Sequence, residues 1–240
     1  MKIQYFDDYA KMSRFAAEFV AEAMRGAPKC KKFVLGLPTG STPLGMYANL
    51  IEMNKSGEPD FSEVVTFNLD EYYPIKKDHP QSYDKFMFEN FFGKININPK
   101  NVNIPNGEAS DPFLECGEYE EKIESAGGID LMILGVGANG HIGFNEPHSW
   151  LLSRTHIAEL SENTKEQNKR FFDSIEEVPD TALTMGMGSI LKAKKILLLV
   201  SGESKKEVFK QFQNGRITTE IPVTFLHLHK DVTIISDISL

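Results

Sequence analysis

Apolar and polar positions follow two rhythms along this chain, and the two alternate. From Tyr9, the residues Met12, Phe15, Ala16, Phe19, Val20 and Ala23 return at spacings of three and four or close to them, the period of one helix face. Asp7 or Asp8 stands where the cap of that helix belongs. A short apolar run follows at about Lys32–Leu37, then a turn, then a helical stretch from about Leu44. Similar runs recur at Val64–Leu69, Asp130–Leu134, Lys195–Val200 and Val232–Ile235. They are largely continuous in apolar character, which predicts strands covered on both sheet faces. The expected class is therefore α/β, a doubly wound, mostly parallel sheet with helices on both faces, Rossmann-like. No repeat, low-complexity stretch or Pro/Ser-rich linker breaks the pattern, and Asn54–Asp60 reads as a loop, so residues 1–240 are expected to form one domain.

Four of the expected strands run into polar segments. These are Pro38–Pro43, Asn68–Tyr72, Gly135–Pro147 and Ser201–Lys206. In a parallel sheet all four C-terminal strand ends share one edge, where α/β proteins bind ligands. Gly40 permits close backbone approach, Ser41 and Thr42 add hydroxyls, and the next helix offers its positive end, so the first segment suits an anion. It lacks the lysine and spacing of a nucleotide triphosphate loop. Asp70, followed by Glu71, sits at a strand end where a tuned carboxylate can act as a base. The third segment places Gly135, Gly137 and Gly140 around a polar turn leading to His141 and Glu146. No acidic residue at the next strand end marks a ribose partner, so a dinucleotide site is not expected.

Charge and composition narrow the field. The chain carries a net charge of −8 without a basic tract, so nucleic acid is not an expected partner. No apolar run reaches the roughly 18 residues of a membrane span, and the N-terminus has no signal-like core. Its two cysteines, Cys30 and Cys116, are far apart, as in a reduced cytoplasmic protein. Arg170 lies in a helix-like segment, Asn163–Phe172. A metal is the rival use of His141, Glu146 and His148, or of His227 and His229 on a strand expected within Phe225–His229. Neither set has further ligands at zinc-like spacing.

Longer strings carry a resemblance. Leu37–Pro43, Phe67–Tyr72, His79–Tyr83, Gly135–Pro147, Ser153–Thr155, Arg170–Phe172 and Ala182–Gly186 together resemble the glucosamine-6-phosphate deaminase (isomerase) family, with ordered matches from about residue 33 to 205. The resemblance implies conversion of glucosamine 6-phosphate and water to fructose 6-phosphate and ammonia, an isomerisation coupled to a hydrolase-type release of the amine, with no cofactor. It implies Asp70 as the base at C2 and His141, with Glu146, as the proton shuttle of ring opening. Asn139, where some members carry aspartate, takes a positioning role. Thr39, Gly40, Ser41 and Thr42, with Arg170 and Lys205, are implied phosphate ligands, and Phe171 or Phe172 a lid. His156 stands where larger allosteric members have arginine, and the chain lacks their longer tail. A non-allosteric monomer or small homo-oligomer follows from that reading. Galactosamine 6-phosphate as substrate, a 6-phosphogluconolactonase-like hydrolase and a sugar-phosphate sensor are the alternatives. The sensor needs neither base nor shuttle.

Overall fold

The computed structural model of the chain describes residues 1–28, 30–160 and 177–238. Seven strands form one parallel sheet, in the order β1 (Lys2–Tyr5), β10 (Val232–Ser236), β9 (Lys195–Val200), β6 (Leu131–Gly135), β2 (Val34–Leu37), β3 (Val65–Asn68) and β5 (Val102–Asn103). Successive side chains on the inner strands enter opposite cores. Leu35, Leu37, Leu131, Ile133, Leu197 and Leu199 face one core, shared with helices α1 (Tyr9–Arg25), α2 (Leu44–Lys55) and α3 (Tyr83–Asn90). Val34, Met132, Leu134, Ile196, Leu198 and Val200 face the other, shared with α4 (Pro112–Ser125), α5 (Met187–Leu191) and α6 (Lys206–Gln213). The doubly wound sheet covered on both faces is thus the observed architecture. Among the described residues no helix is long and apolar enough to cross a membrane.

Helix α1 begins as its cap dictates. The Asp8 side chain accepts the Lys11 N–H at 2.7 Å. Its buried stripe is Met12, Ser13, Ala16, Ala17, Val20 and Ala21, so Phe15, Phe19 and Ala23 sit at the margin of the face rather than its centre. The reason is the small-residue contact with α2, where a Cβ on Gly45 would lie 2.3 Å from Ser13 Oγ.

A second, antiparallel sheet orders β4 (Asp70–Tyr73), β8 (Thr181–Thr184) and β7 (His156–Glu159). The expected run Val64–Leu69 therefore ends early, and the chain changes sheets within one residue. Leu69 donates its N–H to Leu37 in the first sheet at 3.2 Å, and its carbonyl accepts from Met185 at 2.7 Å. The strand expected within Phe225–His229 is instead a 3-10 helix, Pro222–Leu228. Thr224 Oγ1 turns back onto the Ile221 carbonyl, and His227 Nε2 pairs with the Phe212 carbonyl, so the segment has local partners in place of a sheet neighbour. His229 Nε2 likewise bonds the Ala193 carbonyl.

Candidate active site

Strand order reverses between β2 and β6. The chain proceeds from β2 to β3 on one side, and from β6 to β9 and β10 on the other, so the loops leaving β2 and β6 part. A crevice at such a switch point is where open α/β sheets take ligands. Here it is a cleft of about 990 Å³, lined by Pro38–Thr42, Asp70, Gly135–Gly137, His141, Gly202 and Lys205 among others.

One wall carries Asp70. The sheet change at Leu69 buries this side chain to 6% exposure. Among the described residues no N–H or O–H donor reaches its carboxylate; burial, and then the charge of Glu71, push its pKa up to about 8. Glu71 points to the opposite strand face and is differently supplied. Its Oε1 accepts from the Tyr72 and Tyr83 N–H groups at 2.9 and 2.8 Å, and Oε2 from Asp84 N–H at 2.9 Å. Burial outweighs these bonds and raises its pKa to about 7. Glu71 thereby pins the start of α3, which carries Tyr83 to the cleft.

The other wall carries His141, whose ring lies flat on Gly137. A Cβ there would stand 2.1 Å from the imidazole, so only glycine fits. A hydrogen-bond chain fixes the ring. Glu146 is an acceptor, so the Asn139 amide presents Nδ2 to its Oε2 at 2.7 Å. Asn139 Oδ1 then faces His141 Nδ1 at 2.7 Å, which must bear the proton. Glu146 Oε1 lies 3.4 Å from the same nitrogen. The neutral ring is left with Nε2 as its proton acceptor.

The two walls are joined by one loop. Phe144 donates its N–H to Thr184 Oγ1 at 3.1 Å, and Asn145 Nδ2 donates to the carbonyls of Ile142 and Met185 at 2.9 and 2.8 Å. Gly143, with φ of +58°, passes so near Asp70 that a Cβ would lie 3.1 Å from Oδ2. The loop bearing His141 is thus fastened to the strand that pairs with Asp70. At the cleft's end Gly40 adopts φ of +90°, a conformation glycine takes without strain. Among the described residues the N–H groups of Thr39–Thr42 make no backbone hydrogen bond, which leaves them as donors beside the start of α2.

Sequence comparison agrees with this geometry. Residues 7–235 match the family described as glucosamine-6-phosphate isomerases/6-phosphogluconolactonase. The chain belongs to this family. A relative named glucosamine-6-phosphate deaminase from Thermoanaerobacter sp. (strain X514) is 58% identical over 237 residues, covering 99% of this chain and 92% of that protein. One of the same name from Clostridium perfringens (strain 13 / Type A) is 51% identical, covering 99% and 97%. The solved structure of a monomeric glucosamine-6-phosphate deaminase of the NagB superfamily superposes with a TM-score of 0.94 at 43% identity, over 98% of this chain and 97% of that one. The 6-phosphogluconolactonase of Thermotoga maritima shares the fold, with a TM-score of 0.76 at 21% identity over 98% of each chain.

Within this family fold, Thr39, Gly40, Ser41, Thr42, Asp70, His141 and Lys205 meet at the cleft, while Asn139 and Glu146 stand behind His141. Arg170, Phe171 and Phe172 lie outside the described residues. Among the described residues no three His, Cys, Asp or Glu side chains converge to hold a metal. Tyr9, Tyr72, Tyr83 and Phe144 also line the cleft; the last three lie within the matched strings but were given no role there. Tyr9 was indistinguishable from the apolar stripe of α1. The other three form an aromatic cluster, with Tyr72–Tyr83 centroids 4.9 Å apart and Tyr83 stacked on Phe144 at 6.1 Å. Only the tertiary fold brings them together.

Proposed function

We propose that this chain is a glucosamine-6-phosphate deaminase, converting glucosamine 6-phosphate and water to fructose 6-phosphate and ammonia. The observation that carries the reading is a buried carboxylate, undonated among the described residues, facing the same cleft as an imidazole with one nitrogen fixed as acceptor. Ring opening needs a proton moved from the anomeric hydroxyl to the ring oxygen, and His141 Nε2, oriented through Asn139 and Glu146, is the shuttle. Asp70 then takes the C2 proton, giving an enolamine. The proton returns at C1, leaving an imine at C2. Water adds there and ammonia departs, which makes the release step hydrolytic. A carboxyl with a pKa of about 8 is strong enough to take a carbon-bound proton and can hold it for return at C1. Thr39, Gly40, Ser41 and Thr42, with Lys205 and Arg170, receive the phosphate, and Phe171 or Phe172 takes the lid role that the family resemblance implies.

The relatives' names support the substrate, and the solved neighbour's name describes that deaminase as monomeric. We read this chain as a cytoplasmic, one-domain enzyme, a monomer or small homo-oligomer without allosteric control. The test is ammonia and fructose 6-phosphate release from glucosamine 6-phosphate, run beside galactosamine 6-phosphate. Turnover of the first supports the proposal. Turnover of the second alone changes the substrate and keeps the chemistry. Hydrolysis of 6-phosphogluconolactone, with neither hexosamine phosphate turned over, would overturn it.

A further inference from the structure

Helix α2 begins without a cap of its own. Its N-cap is Pro43, which offers no side-chain oxygen, so first-turn N–H groups need acceptors from elsewhere. One comes from another helix: the Tyr9 hydroxyl accepts the Gly45 N–H at 2.8 Å. The same hydroxyl donates towards the carbonyls of Ser41 at 3.2 Å and Thr42 at 3.0 Å. A single phenol thus ties the first residue of α1 to the anion loop and to the helix behind it.

Two consequences follow from elementary geometry. In a planar trans peptide the N–H points opposite to the C=O. Holding the Ser41 carbonyl on Tyr9 therefore turns the Thr42 N–H the other way and keeps an electron-rich carbonyl from facing an anion. The phenol has one proton, and the two carbonyls share it. Tyr9 therefore acts through the loop rather than as a phosphate donor.

We infer that Tyr9 is a positioning residue for phosphate recognition, holding the Ser41–Thr42 backbone and the first turn of α2 in their anion-binding arrangement through its hydroxyl. The inference rests on the phosphosugar reading above, but it can be tested apart from it. Tyr9→Phe removes the hydroxyl and keeps the ring against Gly45, where a Cβ would approach Tyr9 Cε1 to 3.0 Å. The measurements on the full chain are kcat and KM for glucosamine 6-phosphate, and the affinity for inorganic phosphate by calorimetry. Tyr9→Phe is expected to raise both KM and the phosphate Kd about tenfold, with kcat within about twofold of wild type. Ser13→Ala is the control, because Ser13 packs on the same seam and its Oγ makes no hydrogen bond. It should leave both constants unchanged.

Unchanged KM and phosphate affinity in Tyr9→Phe would overturn the inference, as would a loss confined to kcat. A Ser13→Ala effect as large as that of Tyr9→Phe would overturn it too, by assigning the effect to packing. A wild-type chain without phosphate affinity would remove the anion loop and the inference with it. If the wild type releases no ammonia but binds phosphate, and Tyr9→Phe weakens that binding, the deaminase proposal falls and the Tyr9 inference stands.

Discussion

The two walls of the cleft prepare proton transfer in opposite ways. Asp70 is deprived: buried, without a donor among the described residues, beside a second carboxylate, its proton is held until about pH 8. His141 is supplied: Asn139 and Glu146 engage Nδ1 and fix which nitrogen accepts. The first wall tunes the strength of a base by withholding partners, and the second tunes direction by providing them. The difference matches the two jobs proposed for them. Removing a proton from carbon needs a strong base, whereas passing one between oxygens needs orientation.

The largest expected effect breaks the first wall. Asp70→Asn keeps the shape and removes the base, so kcat for ammonia release should fall by about 10³–10⁴, while phosphosugar affinity holds. A loss below tenfold would take the base role from Asp70. The same variant reads the deprivation as stability. The carboxyl has a folded pKa of about 8 against 3.8 in the open. Between those values the folded chain binds a proton the unfolded chain has lost, so this group's contribution falls as pH rises from about 4 to about 8. Asparagine carries no such slope. Urea melts should show Asp70→Asn gaining on wild type from pH 5 to pH 8; a constant difference would mean that Asp70 titrates as an ordinary carboxyl. Next in size, Gly137→Ala pushes a methyl into the space of the imidazole. It should cost about 10²-fold in kcat by turning the ring from its line, with phosphate affinity unchanged.

How much of this was legible in the sequence depended on which sheet carried it. The five inner strands of the parallel sheet are covered on both faces, so their apolar runs announce them and their polar ends announce the crevice. The loop glycines Gly135, Gly137 and Gly140 were also legible in the sequence, and the structure shows why Gly137 is one of them: a Cβ there would collide with the imidazole. The small sheet left no such trace. Strand β4 reads Asp-Glu-Tyr-Tyr, with no apolar run, and is a strand only because Asp70–Tyr73 pair with Thr181–Thr184. Edge strand β1 is exposed along its length and has no face to betray it. The Asp70 position was readable as a carboxylate near a strand end. Its dryness was not, since that comes from the sheet change at Leu69 and from a partner strand more than a hundred residues away. Tyr9 was hidden for the reverse reason: its ring fits the helix stripe, and only the tertiary fold reveals where its hydroxyl goes.

The smallest expected effect separates burial from charge on the first wall. Burial is the larger cause of the raised Asp70 pKa and Glu71 the smaller. Among the described residues, Lys77, paired with Asp84 at 3.2 Å, and Tyr72, Tyr83 and Tyr119 are further ionisable groups around the pair. Glu71→Gln removes the like charge and leaves the desolvation. The acid limb of kcat/KM, which reports the base in the free enzyme, should therefore move to lower pH without reaching that of an ordinary aspartate, and the plateau rate should drop a few-fold as the base weakens. The substitution also has a structural cost. Glutamine Oε1 can keep the Tyr72 and Tyr83 N–H bonds, but its NH₂ then faces the Asp84 N–H, donor against donor, at about 1–3 kcal/mol. That cost would appear in the urea melt and leave the pH limb where it was. A destabilised variant with an unmoved limb would reduce Glu71 to an anchor for α3. A moved limb makes it both an anchor and the reason Asp70 is a stronger base than burial alone provides.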